Sequence, residues 1–265
     1  MKKIKDKYAI FSDIDGTLVS FTTHEIPRSA VEAITAARQN GHRFYISTGR
    51  PVPIITNLGA ISHLIDGYIT TNGAHCFVGD KLVNINAIAE EDVCTQLADA
   101  DRQDYAVIMV SKQALVVYNN KPCVKRIFCD DLKVDALNFD LTMDDIKGEP
   151  ILQMTPFVTA EQEARLIPQL KSCEPGRWHP EFIDITAGHI DKGYGLERMA
   201  ESEGFDINHT VALGDGGNDI PILKRAGIGV AMGNAADYVK AEAQYVTADV
   251  DDDGFSKALI HLGLV

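Results

Sequence analysis

Short apolar runs alternating with amphipathic stretches set the rhythm of the first third of the chain. Tyr8-Ala9-Ile10-Phe11-Ser12 is nearly continuous in apolar character, as a strand covered on both faces must be. Pro27 stands where a first helical turn tolerates it. Val31, Ile34 and Ala37 then recur at helical spacing over residues 28–40, and Gly41 is placed to end that helix. Residues 43–47 read as the next strand; Gly49 breaks it, and Pro51 is expected to open another helix. Residues 67–71 form a third strand, with Asn72-Gly73 as a turn signal behind it.

The last third repeats this pattern. A helix over 192–202 is closed by Gly204, a strand over 210–214 runs into a Gly-rich turn, and a helix is expected over 218–225. Residues 228–230 and 244–246 read as further short strands. Between the thirds the texture changes, with helices expected over 90–100 and 160–170 among β-runs at 105–110, 115–118, 151–155 and 182–186. Strands alternating with helices imply a parallel sheet covered on both faces, here interrupted by an inserted α+β unit.

In open parallel sheets the ligand site lies beyond the carboxyl ends of the strands. Four such ends carry small, polar or acidic residues: Asp13-Ile14-Asp15-Gly16-Thr17, Thr48-Gly49-Arg50, Asn72-Gly73, and Gly214-Asp215-Gly216-Gly217-Asn218-Asp219. Alternation along an extended segment puts Asp13 and Asp15 on one side, with Ile14 turned into the core, and Gly16 permits a sharp turn immediately afterwards. Two carboxylates joined by Asp215 from another strand make an all-oxygen site suited to a hard cation, Mg²⁺ above all. Thr48 suits a hydrogen bond to a phosphate oxygen, and Lys192 suits neutralising another. Asp13 then suits a nucleophile at phosphorus and Asp15 a general acid and base. Any one of these turns alone is most simply a helix cap or a solvated loop. Their conjunction argues for a site.

Composition narrows the partners. The 265 residues carry 38 Asp and Glu against 25 Lys and Arg, a formal charge of −13. That surplus argues against nucleic acid or an anionic membrane as partner. Cys76, Cys94, Cys123, Cys129 and Cys173 include no C-x-x-C pair, which fits reduced thiols better than a disulfide framework or a thiolate zinc site. The apolar run after the basic N-terminus is too short for a signal peptide, and no stretch approaches the roughly 18–20 apolar residues of a membrane span. A cytoplasmic location is the expectation.

At these residues the sequence resembles the haloacid dehalogenase (HAD) superfamily, and within it the Cof-type sugar-phosphate phosphatases with a large α/β cap after the third core strand. Phe11-Ser12-Asp13-Ile14-Asp15-Gly16-Thr17-Leu18, Ser47-Thr48-Gly49-Arg50, Asp191-Lys192-Gly193 and Gly214-Asp215-Gly216-Gly217-Asn218-Asp219 match its four motifs in order. The stretches 71–74 and 226–235 resemble flanking segments. The resemblance implies an α/β fold: a Rossmann-like parallel-sheet core over residues 1–84 plus 189–265, and an inserted α+β cap over 85–188 that sets the substrate. It implies Asp13 as nucleophile, Asp15 as acid and base, and a phosphate site of Thr48, Gly49, Arg50, Asn72, Lys192 and Asn218. It further implies Mg²⁺ held by Asp13, Asp15 and Asp215, with Asp219 supporting or joining them. Arg50 either contacts phosphate or braces its loop. His189 stands just before the third motif where an apolar residue is expected.

The function so implied is Mg²⁺-dependent hydrolysis of a small phosphorylated metabolite through an aspartyl-phosphate. A phosphomutase or phosphotransferase would carry the same motifs and is separated by its products. A non-catalytic ligand-binding protein on this fold would be expected to lack Asp13, Asp15 or Lys192, and all three are present. The motifs carry no sign of the particular ester or of oligomeric state.

Overall fold

The computed structural model describes residues 6–132, 134 and 136–265. In chain order the strands are β1 (Ala9–Ser12), β2 (Arg43–Ser47), β3 (Gly67–Thr70), β4 (His75–Val78), β5 (Lys81–Ile85), β6 (Val107–Ser111), β7 (Leu115–Tyr118), β8 (Ile151–Pro156), β9 (Cys173–His179), β10 (Phe182–Ala187), β11 (Thr210–Gly214), β12 (Ile228–Ala231) and β13 (Tyr245–Val246). They form two sheets, and the chain divides into two compact units. One unit comprises Met1–Gly49, Asn57–Asn84 and Asp191–Val265; the other comprises Arg50–Thr56 and Ile85–Ile190.

The first unit holds the sheet β13-β12-β11-β1-β2-β3-β4-β5. Its pairings from β13 through β3 are parallel, and β4 turns back antiparallel on β3. Each central strand sends alternate residues to opposite faces. Phe11 and Tyr45 stack at 4.7 Å on the face that buries Leu196 and Met199 of the helix Lys192–Glu203, with Ile222 and Leu223 of the helix Ile220–Arg225. Phe44 points to the other face and meets Phe255 of the helix Gly254–His261 edge-on at 6.1 Å, beside the helix Arg28–Gln39. Burial on both sides is why these strands lack a polar alternation. It also leaves the strand ends as the place where polar groups collect.

The second unit is a five-stranded sheet, β7-β6-β8-β10-β9, and its observed pairings are antiparallel. Val107, Met109, Met154, Ile183 and Ile185 cover one face with Ala100 and Leu166 from the helices Glu90–Gln103 and Ala160–Leu166. Ile108, Val110 and Phe182 cover part of the other with Val124, Ile127 and Phe128. Ile54 belongs to this second cluster, so the segment after Gly49 packs with the second unit.

Several local expectations are corrected. Pro51 opens only a short 3-10 turn, Val52–Ile54, because Ile55 is already extended. The helix expected over 218–225 begins at Ile220, after a tighter turn at Gly217–Asp219. The strand β9 contains Pro175 and Gly176, which argue against a strand interior; it survives because it is the edge of its sheet. All five cysteines are free. Among the described residues no helix is long and apolar enough to cross a membrane.

Candidate active site

Two loops that leave the carboxyl ends of β1 and β11, with the amino end of the helix Lys192–Glu203, build a polar cluster inside the first unit. The backbone N–H of Asp13 still donates to Leu213 across the β1–β11 pair at 3.0 Å, which fixes the first carboxylate against the fourth motif. Ile14 is fully buried, as the alternation requires. Gly16 then takes a left-handed φ of +77°, and a Cβ there would lie 2.3 Å from Asp215 Oδ2. Only glycine permits both the turn and the approach.

At the centre lies Lys192, whose side chain has no solvent exposure. Its Nζ donates to Asp13 Oδ1 at 2.8 Å and to Asp219 Oδ1 at 2.6 Å. Asp219 in turn accepts the Asp215 and Gly216 N–H groups on Oδ2 at 3.0 and 2.9 Å, so both of its oxygens are engaged by protein. Asp191 aims the lysine. It caps the helix Lys192–Glu203 by accepting from Tyr194 N at 2.7 Å, and it accepts Arg225 Nη1 at 2.7 Å.

One oxygen from each of Asp13, Asp215 and Asp219 lies within 4.8 Å of the others. The Asp15 carboxylate does not join that set, although its charge is felt by both Asp13 and Asp215. Burial, then Asp219, raises the Asp13 carboxyl well above its ordinary value; Asp215 and Asp15 add to this and Lys192 opposes it. Burial, Asp219 and Asp15 push Asp215 up to about 7 against the pull of Thr17 and Lys192. Burial alone would lower the Lys192 ammonium, but Asp13 and Asp219 outweigh it and hold the group above its usual range. Three carboxylates crowded around one ammonium, each offering an oxygen, fit a hard divalent cation.

The phosphate-site candidates from β2 and β3 arrive nearby. Thr48 is buried, its N–H bonded to Ile69 O at 2.8 Å and its carbonyl accepting Asn72 N at 3.2 Å. Thr71, Asn72 and Gly73 take successive left-handed φ values of 52°, 51° and 97°. Gly73 is needed there, since a Cβ would lie 2.2 Å from the Asp191 carbonyl. The turn delivers Asn72, whose Oδ1 accepts Asn218 Nδ2 at 3.0 Å, and a Cβ on Gly49 would sit 3.0 Å from the same Oδ1. Gly49, Asn72 and Asn218 therefore meet. Arg50 donates to Ile54 O at 3.2 Å, the loop-bracing alternative, and groups with the second unit. His189 lies in the second unit with a left-handed φ of 64° and a side chain 97% exposed.

Two participants carry no assigned role in the motif reading. Thr17 Oγ1 donates to Asp215 Oδ1 at 2.9 Å, and Asn234 Nδ2 donates to the Gly16 carbonyl at 2.8 Å and to Asp215 Oδ2 at 3.3 Å. Thr17 lies in the first motif and was open to prediction as a neighbour of its acids. Asn234 lies in the stretch 226–235 that resembles a flanking segment of the family, with no role attached to it there. An open groove of about 510 Å³ lined by Thr35, Arg38, Gln39, His42, Arg43 and Asp66 lies at the amino end of β2, away from this cluster. Its arginines pair with Asp66 and Glu203.

The family model for haloacid dehalogenase-like hydrolases matches residues 10–259. The chain is 30% identical to the 5-amino-6-(5-phospho-D-ribitylamino)uracil phosphatase YcsE of Bacillus subtilis, covering 94% of this chain and 93% of that one. It is 27% identical to the pyridoxal phosphate phosphatase YbhA of Escherichia coli, over 92% and 94% of the two chains. Among solved structures, the HAD subclass IIB sugar phosphatase BT4131 is 44% identical, with a TM-score of 0.89 over 98% of this chain and 100% of that one. With the four motifs in place on a parallel-sheet unit, this chain belongs to the haloacid dehalogenase-like hydrolase family.

Proposed function

We propose that the chain is a Mg²⁺-dependent phosphatase that hydrolyses small phosphate monoesters through an aspartyl-phosphate on Asp13. The observation that carries this is the buried ammonium of Lys192, bonded to Asp13 and Asp219 inside a set of carboxylates. A lysine fully withdrawn from water beside a strand-end aspartate is costly as scaffolding, and it suits neutralising a phosphoryl oxygen brought to Asp13.

In this reading the Asp13 carboxylate attacks phosphorus as the bond to the ester oxygen breaks, and Asp15 gives that oxygen its proton. Asp15 then takes a proton from water, whose oxygen attacks the phosphorus of the aspartyl-phosphate; inorganic phosphate leaves and Asp13 is restored. Two easier displacements replace one hard one. Lys192, Thr48, Gly49, Asn72 and Asn218 hold the phosphoryl oxygens, while Arg50 braces its loop. Asp13 and Asp215, with Asp219 holding Lys192 and the 215–216 turn in support, would hold Mg²⁺, which would supply charge neutralisation between an anionic nucleophile and an anionic ester. Asp15 serves as acid and base rather than through its carboxylate as a metal ligand. The second unit, whose sequence differs in texture from the first, carries selectivity for the leaving group. Substrates are expected among sugar phosphates and phosphorylated cofactors or metabolites, in keeping with the sugar phosphatase, the pyridoxal phosphate phosphatase and the 5-amino-6-(5-phospho-D-ribitylamino)uracil phosphatase among the related proteins.

The test is a phosphate-release screen over a broad panel of phosphoesters, with and without Mg²⁺, with Asp13→Asn as control. Release that needs Mg²⁺ and is abolished by D13N supports the reading. Undiminished release by D13N overturns the nucleophile assignment, and turnover in EDTA overturns the metal requirement.

A further inference from the structure

The side chain of Asn234 ties together loops that the phosphate-site residues do not connect. Asn234 follows β12 in a turn held against the segment after β13: Gly233 N donates to Ala248 O at 2.9 Å, and Ala235 N closes the turn on Met232 O at 3.1 Å. The Asn234 Oδ1 accepts Val250 N at 3.1 Å, which decides which end of the amide is oxygen. Its Nδ2 then donates to the carbonyl of Gly16 at 2.8 Å and to Asp215 Oδ2 at 3.3 Å. One carboxamide thus joins the segments that leave β1, β11, β12 and β13.

Asp215 is held from its other side as well. Thr17 Oγ1 donates to Oδ1 at 2.9 Å, and Oδ2 rests against Gly16, where a Cβ would come within 2.3 Å. Protein donors on both oxygens fix the plane of the carboxylate. A ligand oriented in this way loses its rotamer freedom on folding and not on binding a cation.

The geometry points to Asn234 as a positioning residue for the cation site, one that locks Asp215 to Gly16 and so sets cation affinity. The inference rests on Asp215 as a cation ligand, as proposed above. Among the described residues the hydrogen bonds of Asn234 run to Gly16, Asp215 and Val250. Its loss therefore acts on metal binding and leaves chemistry at phosphorus intact once metal is saturating.

The experiment measures Mn²⁺ binding to the full chain without substrate, from the electron paramagnetic resonance signal of the free ion. It compares wild type, Asn234→Ala, Asn234→Asp and, as control, Asp215→Asn. N234D preserves shape but sets an acceptor against the Gly16 carbonyl and Asp215. N234A, which removes the donors without adding charge, is expected to weaken Mn²⁺ binding by about tenfold, and N234D by less, because its added carboxylate attracts the cation while it disorders Asp215. Phosphate release at saturating Mg²⁺ should stay within about threefold of wild type, with an unchanged far-ultraviolet circular dichroism spectrum. If N234D yields no folded protein, N234A and Asn234→Ser carry the comparison. Binding within about twofold of wild type in the folded variants, while D215N loses it, overturns the role of Asn234 alone. Variants whose turnover at saturating metal falls as far as their affinity also overturn it. If wild type and D215N bind Mn²⁺ equally, the cation assignment of Asp215 fails and takes this inference with it.

Discussion

Replacing Lys192 by methionine removes the ammonium and nearly preserves the volume it fills. The side chain is fully buried and donates to Asp13 at 2.8 Å and Asp219 at 2.6 Å, so its loss leaves two buried carboxylates facing each other. Removing one partner of a buried ion pair costs about 3–5 kcal/mol, and because both bonds share one ammonium the two do not add. The pH dependence has a definite sign. Lys192 lowers both Asp13 and Asp215, while burial and neighbouring carboxylates raise them. Without it both rise further. A carboxyl raised in the folded state favours folding below its unfolded value of about 4, and that stability is lost as pH climbs through the folded-state value. For Asp215 that value is already about 7 in the wild type. K192M should therefore be mildly destabilised at pH 5.5 and fully so at pH 8.5 (about 3–5 kcal/mol) in metal-free protein. Urea unfolding in EDTA, followed by far-ultraviolet circular dichroism at both pH values, gives the comparison, and phosphate release should fall by roughly 10²–10³-fold. A loss below about 1 kcal/mol at the higher pH, or an equal loss at both, refutes the reasoning.

Three further outcomes are expected. Asp15→Asn should slow release from sugar phosphates by about 10²–10⁴-fold and from aryl phosphates far less, because an activated leaving group needs no proton; equal losses count against the acid role. Gly16→Ala forces a side chain into a φ of +77° and into Asp215 Oδ2, so calorimetric titration should show weakened Mg²⁺ binding, and unchanged binding contradicts the close approach. In the second unit, Asp92 accepts from Lys171 N at 2.8 Å, Ser172 N at 3.0 Å and Ser172 Oγ at 2.7 Å. Burial pushes this carboxyl up, but those bonds outweigh it and hold it low. Its stabilisation is present above the unfolded value near 4 and lost as pH falls through the folded one. Asp92→Asn should cost about 1–3 kcal/mol in urea unfolding at pH 7 and flatten that acid limb; an unaltered limb assigns it to other groups.

What was legible from the sequence follows from what is local. The buried strands β1, β2 and β11 announce themselves by apolar runs ended by Gly or Asp, and the acids at their ends are placed by strand direction alone. Strand β9 was hidden because Pro175, Gly176 and Arg177 look like a loop, and only its place at a sheet edge makes them tolerable. The helix Gly254–His261 is hard to see in the sequence because its acidic entry, 249–253, hides the apolar face that meets Phe44. The roles of Thr17 and Asn234 are hidden for a different reason. Their importance lies in bonds spanning 198 residues to Asp215 and 218 residues to Gly16, a distance that no local pattern records.

Charge counting separates two roles that the acidic composition runs together. Most of the 38 acids lie outside the site, and they explain the −13 of the whole chain without explaining the cluster. Within the cluster, Asp13, Asp215 and Asp219 face a single Lys192, so three negative charges meet one positive one and a formal −2 is left among buried and half-buried groups, before the charge of nearby Asp15 is added. A protein without a cation partner relieves such an excess by taking up protons, and the raised Asp13 and Asp215 carboxyls show that tendency. Protonation, however, would silence Asp13 as a nucleophile. A divalent ion bound there would offset that excess and would favour the ionised form of Asp13, whereas a second lysine would offset less of it. The proposed chemistry and the charge balance therefore point to the same partner, which is why metal affinity, more than global acidity, is the property that substitutions at Asn234 and Gly16 should move.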